Sequence, residues 1–521
     1  MAAAGRLTVL DTETVRTLLR ESAFPHPVGE LRLIETHVSW VVLTGAYAYK
    51  LKKPVDYGFL DFSTLALRKH YCEEELRLNR RFAPQIYLDL APVRSRGGLL
   101  HVGAAGGELV DYAVRMRQFD DSALLSHAVD AGRFGEAEAD ELGRWLAALH
   151  RGLPPRAPQN AGDAGSPESF QAALEQNLAQ VRPLLPGGPP AQRLAEIEDW
   201  SKARFRAVEA SLRRRAAEGF VRELHGDLHL RNIVRLEGRL TAFDCIEFNE
   251  HFRVMDVQSE LAMLVMDLEQ RGRRREGNAC FNACLEDSGD YAGVELTDLF
   301  RCYYAVVRAK VALLAKDMPG ADRNLALAHS YGGPRRPALW LMHGLSGSGK
   351  TTVARLMATE LDAVRIRSDV ERKRLCGLAA TARSGARRPR DGIYSDATTD
   401  AVYARLAELA SVVLRSGRHC VIDAAFLDAG LRDRFADLAA GLPVPCRIAN
   451  CEAAVETLRT RVAERTTRAT DASEAGPGVL EYQLSRHAPL RPAEVAHGLV
   501  ARTDAPDWRE RLAADLRRLT G

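Results

Sequence analysis

The chain has 521 residues with 72 basic and 69 acidic side chains, a formal charge of +3 and an apolar fraction of 46%. This length and apolar content exclude a disordered or fibrous chain and call for more than one domain. The near-balanced charge excludes a dedicated nucleic-acid binder or a polybasic membrane protein. In the opening MAAAGRLTVLDTETVRTLLR, Asp11 and Glu13 interrupt the apolar run too early for a secretory signal, and no stretch reaches the ~20 apolar residues that cross a bilayer. A cytoplasmic protein is expected, acting on small molecules, with neither nucleic acid nor membrane as partner; oligomeric state leaves no mark. Nine cysteines are scattered, with Cys280 and Cys284 as the one close pair, and fit buried, reduced thiols.

In chain order, residues 38–43 and 46–51 alternate as two strands about the turn Thr44-Gly45, a hairpin. A long helix is predicted over 67–82. After Phe119 the pattern is mainly helical, interrupted by β-like pieces at 233–236 and 240–243. Two stretches rich in Pro and Gly, 151–166 and 330–337, resist helix and strand, and the second is expected to separate domains. Beyond Pro337, strands at 338–342, 364–366 and 420–422 alternate with helices, the pattern of a parallel α/β sheet. The expected division is 1–325, a linker 326–337, and 338–521. The run Arg271 to Arg275 is expected as a solvated loop, and Arg308 and Lys310 as partners of acids such as Asp298.

The first constellation is Leu224-His225-Gly226-Asp227-Leu228-His229-Leu230-Arg231-Asn232, followed by Phe243-Asp244-Cys245-Ile246-Glu247. Asp227 can orient and deprotonate a hydroxyl, Asn232 can hold a metal, and Asp244 at the end of a short strand can bridge that metal to phosphates. This stretch resembles the aminoglycoside phosphotransferase family, a branch of the protein-kinase-like fold. The resemblance covers about residues 30–320 and implies an α+β bilobal fold. It makes Asp227 the catalytic base, Asn232 and Asp244 Mg²⁺ ligands, and His225 an orienter of the loop. It also calls for a strand lysine paired with a helix glutamate: Lys50 and Lys52 share one strand face, leaving the choice open, and Glu75 lies on the helical face of Tyr71, Leu78 and Phe82. The adenine hinge is expected near 116–119. The glycine-rich loop over the phosphates is reduced to Gly45.

The second constellation is Gly344-Leu-Ser346-Gly347-Ser348-Gly349-Lys350-Thr351-Thr352, between the apolar ALWLM and the helical VARLMATEL. This is a complete Walker A motif: glycines let backbone N–H groups wrap a phosphate, Lys350 reaches the β and γ phosphates, and Thr351 holds Mg²⁺. Asp423, ending the run Cys-Val-Ile-Asp, is the candidate Walker B carboxylate, with a turn cap as the plain alternative. Asp369 is either a helix N-cap or the base that takes the acceptor's proton. Arg461, Arg465 and Arg468 share a helical face, either as a solvated basic surface or as a mobile guanidinium set for the transferring phosphoryl group. Residues 338–521 thus resemble the P-loop small-molecule kinases of the zeta-toxin, chloramphenicol phosphotransferase and gluconate kinase type. That likeness implies Asp369 as the substrate-side acid and the 461–468 segment as an arginine lid.

The whole chain reads as a tandem of a kinase-like fold and an α/β P-loop domain: an ATP-dependent phosphotransferase for hydroxyl groups of small molecules, with two candidate Mg·ATP sites. The alternative is a P-loop kinase or ATPase regulated by a kinase-like nucleotide-sensing module.

Overall fold

The computed structural model describes residues 10–58, 60–103, 106–380, 382, 392–468, 474–486 and 489–520. The chain forms two compact units. One gathers residues 1–134, 153–175 and 209–264; the other gathers 135–152, 176–208 and 265–521.

In the first unit, six strands form an antiparallel sheet: β1 (Arg32–Glu35), β2 (Ser39–Leu43), β3 (Tyr47–Lys52), β4 (Tyr87–Arg96), β5 (Leu99–Val102) and β6 (Glu108–Arg117), in the order β1-β2-β3-β6-β4-β5. Alternation along β2 and β3 builds both faces. Trp40, Val42, Tyr49 and Leu51 enter one core with Val93, Leu100 and Val102, so Lys50 and Lys52 must point to the other side. That side is covered by helix α1 (Leu65–Asn79), whose Cys72 and Leu76 pack with Ile86, Val114 and Met116. The helix starts two residues earlier than predicted because Thr64 caps it, its hydroxyl accepting the Leu67 N–H at 3.2 Å. It ends at Asn79, with 80–82 continuing as a turn. Two short antiparallel pairs complete the scaffold. One joins β7 (Val221–Glu223) to β10 (Val254–Asp256), the other β8 (Ile233–Leu236) to β9 (Arg239–Ala242), and together they bracket the HGDLHLRN loop.

The second unit contains a parallel sheet of β11 (Leu339–His343), β12 (Val364–Arg367), β13 (Cys420–Asp423), β14 (Cys446–Glu452) and β15 (Leu499–Arg502), in the order β12-β13-β11-β14-β15. Strand order reverses about β11, and the Walker A loop leaves its carboxyl end, where a parallel sheet opens a ligand crevice. Residues 326–337, expected as a linker, comprise the end of helix Met318–Ser330 and the connection into β11, and the second unit continues through them.

Helices α2 (Glu136–Arg151) and α3 (Arg274–Ser288) belong to this same unit. Helix α3 seals the open edge of β12. The Asn282 side chain accepts the Arg365 N–H at 2.7 Å and donates to Ala363 O at 2.9 Å, and Asn278 donates to the same carbonyl at 3.1 Å. One asparagine thus supplies the donor and acceptor that a further strand would have offered.

The arginine run 271–275 is not a free solvated loop. Arg271 pairs with Asp267, Arg273 with Glu276, Arg274 with Asp362 and Arg275 with Glu360. Asp298 likewise departs from expectation: Arg418 and Arg335 take it, and Lys310 donates instead to Gln180 at 3.0 Å. All nine cysteines are free thiols; Cys376 is exposed, Cys446 half-buried and the rest buried. Among the described residues no helix is long and apolar enough to cross a membrane.

Candidate active sites

The site in the first unit is built around α1. Lys50 Nζ lies 2.9 Å from Glu75 Oε1 and also donates to Asp244 Oδ1, while Lys52 Nζ sits 2.8 Å from Glu75 Oε2 and donates to Glu247. The two lysines therefore divide the roles that their shared strand face left open. Lys52 is fully buried, whereas Lys50 keeps 14% of its side chain exposed beside a carboxylate that is 47% exposed. Lys50 is the more accessible of the two cations. Burial disfavours the Glu75 carboxylate, but Lys50 and Lys52 outweigh it and hold the group at about 2.

Asp244 adopts a left-handed φ of 65°, uncommon for a residue with a side chain though better tolerated by Asp than by most. Two groups hold it there: the Tyr87 hydroxyl accepts the Asp244 N–H at 3.0 Å, and Asn79 Oδ1 accepts the Cys245 N–H at 2.9 Å. In the preceding loop, Asn232 Nδ2 donates to Asp227 O at 3.0 Å and approaches its Oδ2 at 3.4 Å. His229 Nδ1 accepts the Arg231 N–H at 3.2 Å, which fixes the proton on Nε2, 3.3 Å from Asp227 Oδ2. His225 is fully buried, and desolvation lowers its pKa, so it is neutral; its Nε2–H donates to Phe243 O at 2.8 Å. Glu260 accepts the N–H groups of His225 and Gly226 at 2.8 and 3.1 Å. Gly226 has φ +87°, and a Cβ there would meet Phe252 O at 2.7 Å.

Gly45 lies in the β2–β3 turn with φ +90°. Its N–H and that of Thr44 both donate to Gln118 Oε1, at 2.9 and 3.1 Å, so these amides are already engaged by the expected hinge segment. Phe119 from the same segment packs edge-on against Phe243, ring centroids 5.0 Å apart.

In the second unit, Gly344, Gly347 and Gly349 take φ of 138°, 83° and 83°. A Cβ at the first would come 2.4 Å from Cys451 O, and at the second 2.7 Å from Leu458 O, so glycine is required by space as well as by backbone. Helix α4 (Lys350–Leu361) follows directly. Lys350 Nζ donates to Gly344 O and Leu345 O, both at 2.8 Å, and its burial lowers its pKa. The Ser346 N–H, an amide of the loop, donates to Gln483 Oε1 at 2.8 Å; Gln483 lies in α7 (Pro477–Arg486), which follows α6 (Val455–Arg468). Ser348 is buried, and Thr352 is exposed on the first turn of α4.

Thr351 Oγ1 lies 3.3 Å from Asp423 Oδ1, and Asp423 Oδ2 is buried without a hydrogen-bond partner. A carboxylate oxygen left bare beside a hydroxyl suits a hard cation such as Mg²⁺, which needs only one or two protein oxygens besides phosphate and water. The exposed Asp244 carboxylate and Asn232 offer a comparable oxygen donor pair in the first unit. No group of three His, Cys, Asp or Glu capable of holding a metal occurs among the described residues.

Asp369 is not a helix cap. The helix (Ser368–Leu375) has Arg367 at its N-cap with no side-chain cap bond, and the half-buried Asp369 carboxylate makes no hydrogen bond within the described residues. Arg461 is pinned rather than mobile, donating to Thr503 Oγ1 at 2.8 Å, Thr503 O at 3.0 Å and Gly347 O at 3.4 Å. Arg465 donates to Ala475 O, and the Arg468 side chain lies outside the described residues. Gln118, Gln483, Thr503 and Glu260 were assigned no role from the sequence, because each acts across a long separation. His229 and Glu247 stood inside the legible motifs without a role.

Residues 70–295 match the model of the phosphotransferase enzyme family, and residues 339–490 match that of an AAA domain. Uncharacterised proteins of Mycobacterium tuberculosis H37Rv and Mycobacterium bovis are each 32% identical over 460 residues, covering 86% of this chain and 89% of theirs. Among solved structures, a choline/ethanolamine kinase family protein from Mesorhizobium loti is 15% identical at a TM-score of 0.39, covering 61% of this chain and 94% of its own. A gluconokinase from Sinorhizobium meliloti 1021 is 20% identical at 0.26, covering 36% and 95%.

Proposed function

We propose that this chain, which belongs to the family of these mycobacterial proteins and in which a segment matched to the phosphotransferase enzyme family precedes one matched to an AAA domain, is an ATP-dependent phosphotransferase acting on hydroxyl groups of small molecules. Each half has its own Mg·ATP site. The observation that supports this reading is that each unit holds a lysine at its candidate phosphate site, Lys50 or Lys350, and a separate carboxylate of the kind that can take a proton, Asp227 or Asp369.

In the first half, Asp227 accepts the proton of the acceptor hydroxyl. His229 Nε2–H and the Asn232 amide fix its orientation, and neutral His225 braces the loop from below. Lys50, held by Glu75, meets the phosphates. In the second half, the loop amides and Lys350 receive the phosphates, with Lys350 leaving the two carbonyls it now contacts. Asp369 takes the hydroxyl proton, and Arg461, seated on Gly347 O, places positive charge beside the loop. Thr351 and Asp423 in one half, and Asn232 and Asp244 in the other, would hold Mg²⁺, whose charge would offset that developing on the phosphates.

One observation favours a second reading, a kinase-like sensing module that regulates the P-loop half: Gln118 occupies the two amides of the Gly45 turn. Turnover of labelled ATP with a metabolite extract separates the two. Asp227→Asn and Asp369→Asn are each expected to lose about 100-fold or more in their own phosphorylated product. Unchanged product with Asp227→Asn would leave the first half as a sensor.

A further inference from the structure

Glu286 closes α3, inside the segment matched to the phosphotransferase family, yet its carboxylate is spent on the P-loop sheet. It is 2% exposed. It accepts from Arg365 Nη2 at 2.8 Å, Arg367 Nη1 at 3.2 Å and Arg144 Nη2 at 3.1 Å. Burial opposes its ionisation, but Arg367, Arg365 and Arg144 outweigh that and hold it at about 2, so it is an anion at any working pH.

Arg367 is the last residue of β12 and stands in register with Asp423 at the end of β13. Its guanidinium faces two carboxylates. The bond to Glu286 is of hydrogen-bond length, whereas Nε stays 3.6 Å from Asp423 Oδ2, beyond hydrogen-bond reach. The same Oδ2 is buried and makes no hydrogen bond. A guanidinium already at ion-pair distance from a buried carboxylate oxygen that accepts no hydrogen bond would close further on it unless something else held it.

We propose that Glu286 is a positioning residue of the P-loop site: by keeping the Arg367 guanidinium on its own carboxylate, it leaves Asp423 Oδ2 open to the divalent cation. The inference rests on Asp423 being the cation-side carboxylate. It gives the phosphotransferase-matched segment a physical hold on the metal affinity of the P-loop. A merely structural Glu286, neutralising three arginines, would affect folding without selectively changing cation binding through Arg367.

The test uses the full chain in an Asp244→Ala background, so that the P-loop site alone reports. Mn²⁺ binding in the presence of ADP is titrated by electron paramagnetic resonance, and metal-free ADP binding by calorimetry. Glu286→Gln is expected to weaken Mn²⁺ about tenfold, the usual cost of losing a residue that orients a metal ligand, with metal-free ADP affinity unchanged. Adding Arg367→Gln is expected to restore it. A loss that persists without Arg367, or no loss, overturns the inference alone. Should Glu286→Gln not fold, Glu286→Asp, still charged but one methylene shorter, takes its place: weaker Mn²⁺ binding that Arg367→Gln restores supports the inference, and unchanged binding, or a loss that persists without Arg367, overturns it. Mn²⁺ binding that survives Asp423→Asn overturns the site reading and the inference with it.

Discussion

Replacing Asn282 with alanine removes the side chain that completes the edge of β12. The Arg365 N–H, now 2.7 Å from Asn282 Oδ1, would be left in a buried position with no acceptor. Ala363 O fares better, because Asn278 Nδ2 remains at 3.1 Å. One orphaned buried donor costs about 1–3 kcal/mol, and the void left by the amide adds to it. The local opening free energy of β12 should therefore fall by about 2–3 kcal/mol, which raises exchange of the Arg365 amide roughly 30- to 150-fold. Asn278→Ala leaves both Asn282 bonds to the strand intact and should cost under about 1 kcal/mol. Amide hydrogen exchange followed by mass spectrometry reads both variants peptide by peptide. Equal effects of the two substitutions, or unaltered protection over 363–366 in Asn282→Ala, would refute the edge-sealing role.

Lys52→Met strands the buried Glu247 carboxylate and leaves Glu75 with Lys50 alone, and should destabilise the first unit by about 3–5 kcal/mol. Lys50→Met, at the site's opening, should instead abolish nucleotide binding there with a smaller loss of stability; denaturant melts and ATP titrations compare the two, and a reversed pattern contradicts the division of roles. Gln483→Ala frees the Ser346 N–H for phosphate and should tighten ADP binding at the P-loop about three- to tenfold, the worth of one competing hydrogen bond; weaker binding would mean that Gln483 supports the loop rather than competing for it. Acid stability follows from Glu223 and Glu286, both held at about 2 against an ordinary 4.5. Burial opposes ionisation in both, but Arg77, Arg81 and Arg253 outweigh it around Glu223, and Arg367, Arg365 and Arg144 around Glu286. Because these folded-state values are depressed, their stabilisation is full above 4.5 and declines as pH falls toward 2, by roughly 3 kcal/mol for each. A melting temperature flat from pH 5 to 3 would contradict this.

The sequence carried the parts whose physics is local. The Walker A glycines, the HGDLHLRN loop and the strand alternation that sends Lys50 and Lys52 to one face are all fixed by spacing of a few residues, and the structure places them accordingly. Side-chain reach across long separations was not legible. Nothing near Lys50 reveals that it, rather than Lys52, stands at the opening, because the distinction is made by Asp244 and Glu247 nearly two hundred residues away. The place of α3 in the second unit was hidden for a similar reason: Asn278, Asn282 and Glu286 read as ordinary polar residues of a helix, and only the exposed edge of β12 gives them work. Arg461 read either as part of a solvated basic surface or as one of a mobile guanidinium set, because Thr503, which it contacts, lies beyond a further strand in the sequence.

Two nucleotide sites per chain is the central claim, and the stoichiometry of binding tests it most directly. Calorimetric titration of wild type, Lys350→Ala and Asp244→Ala with Mg²⁺ and a non-hydrolysable ATP analogue should give two sites in the first and one in each variant. A single site in wild type, abolished by Lys350→Ala and untouched by Asp244→Ala, would contradict it.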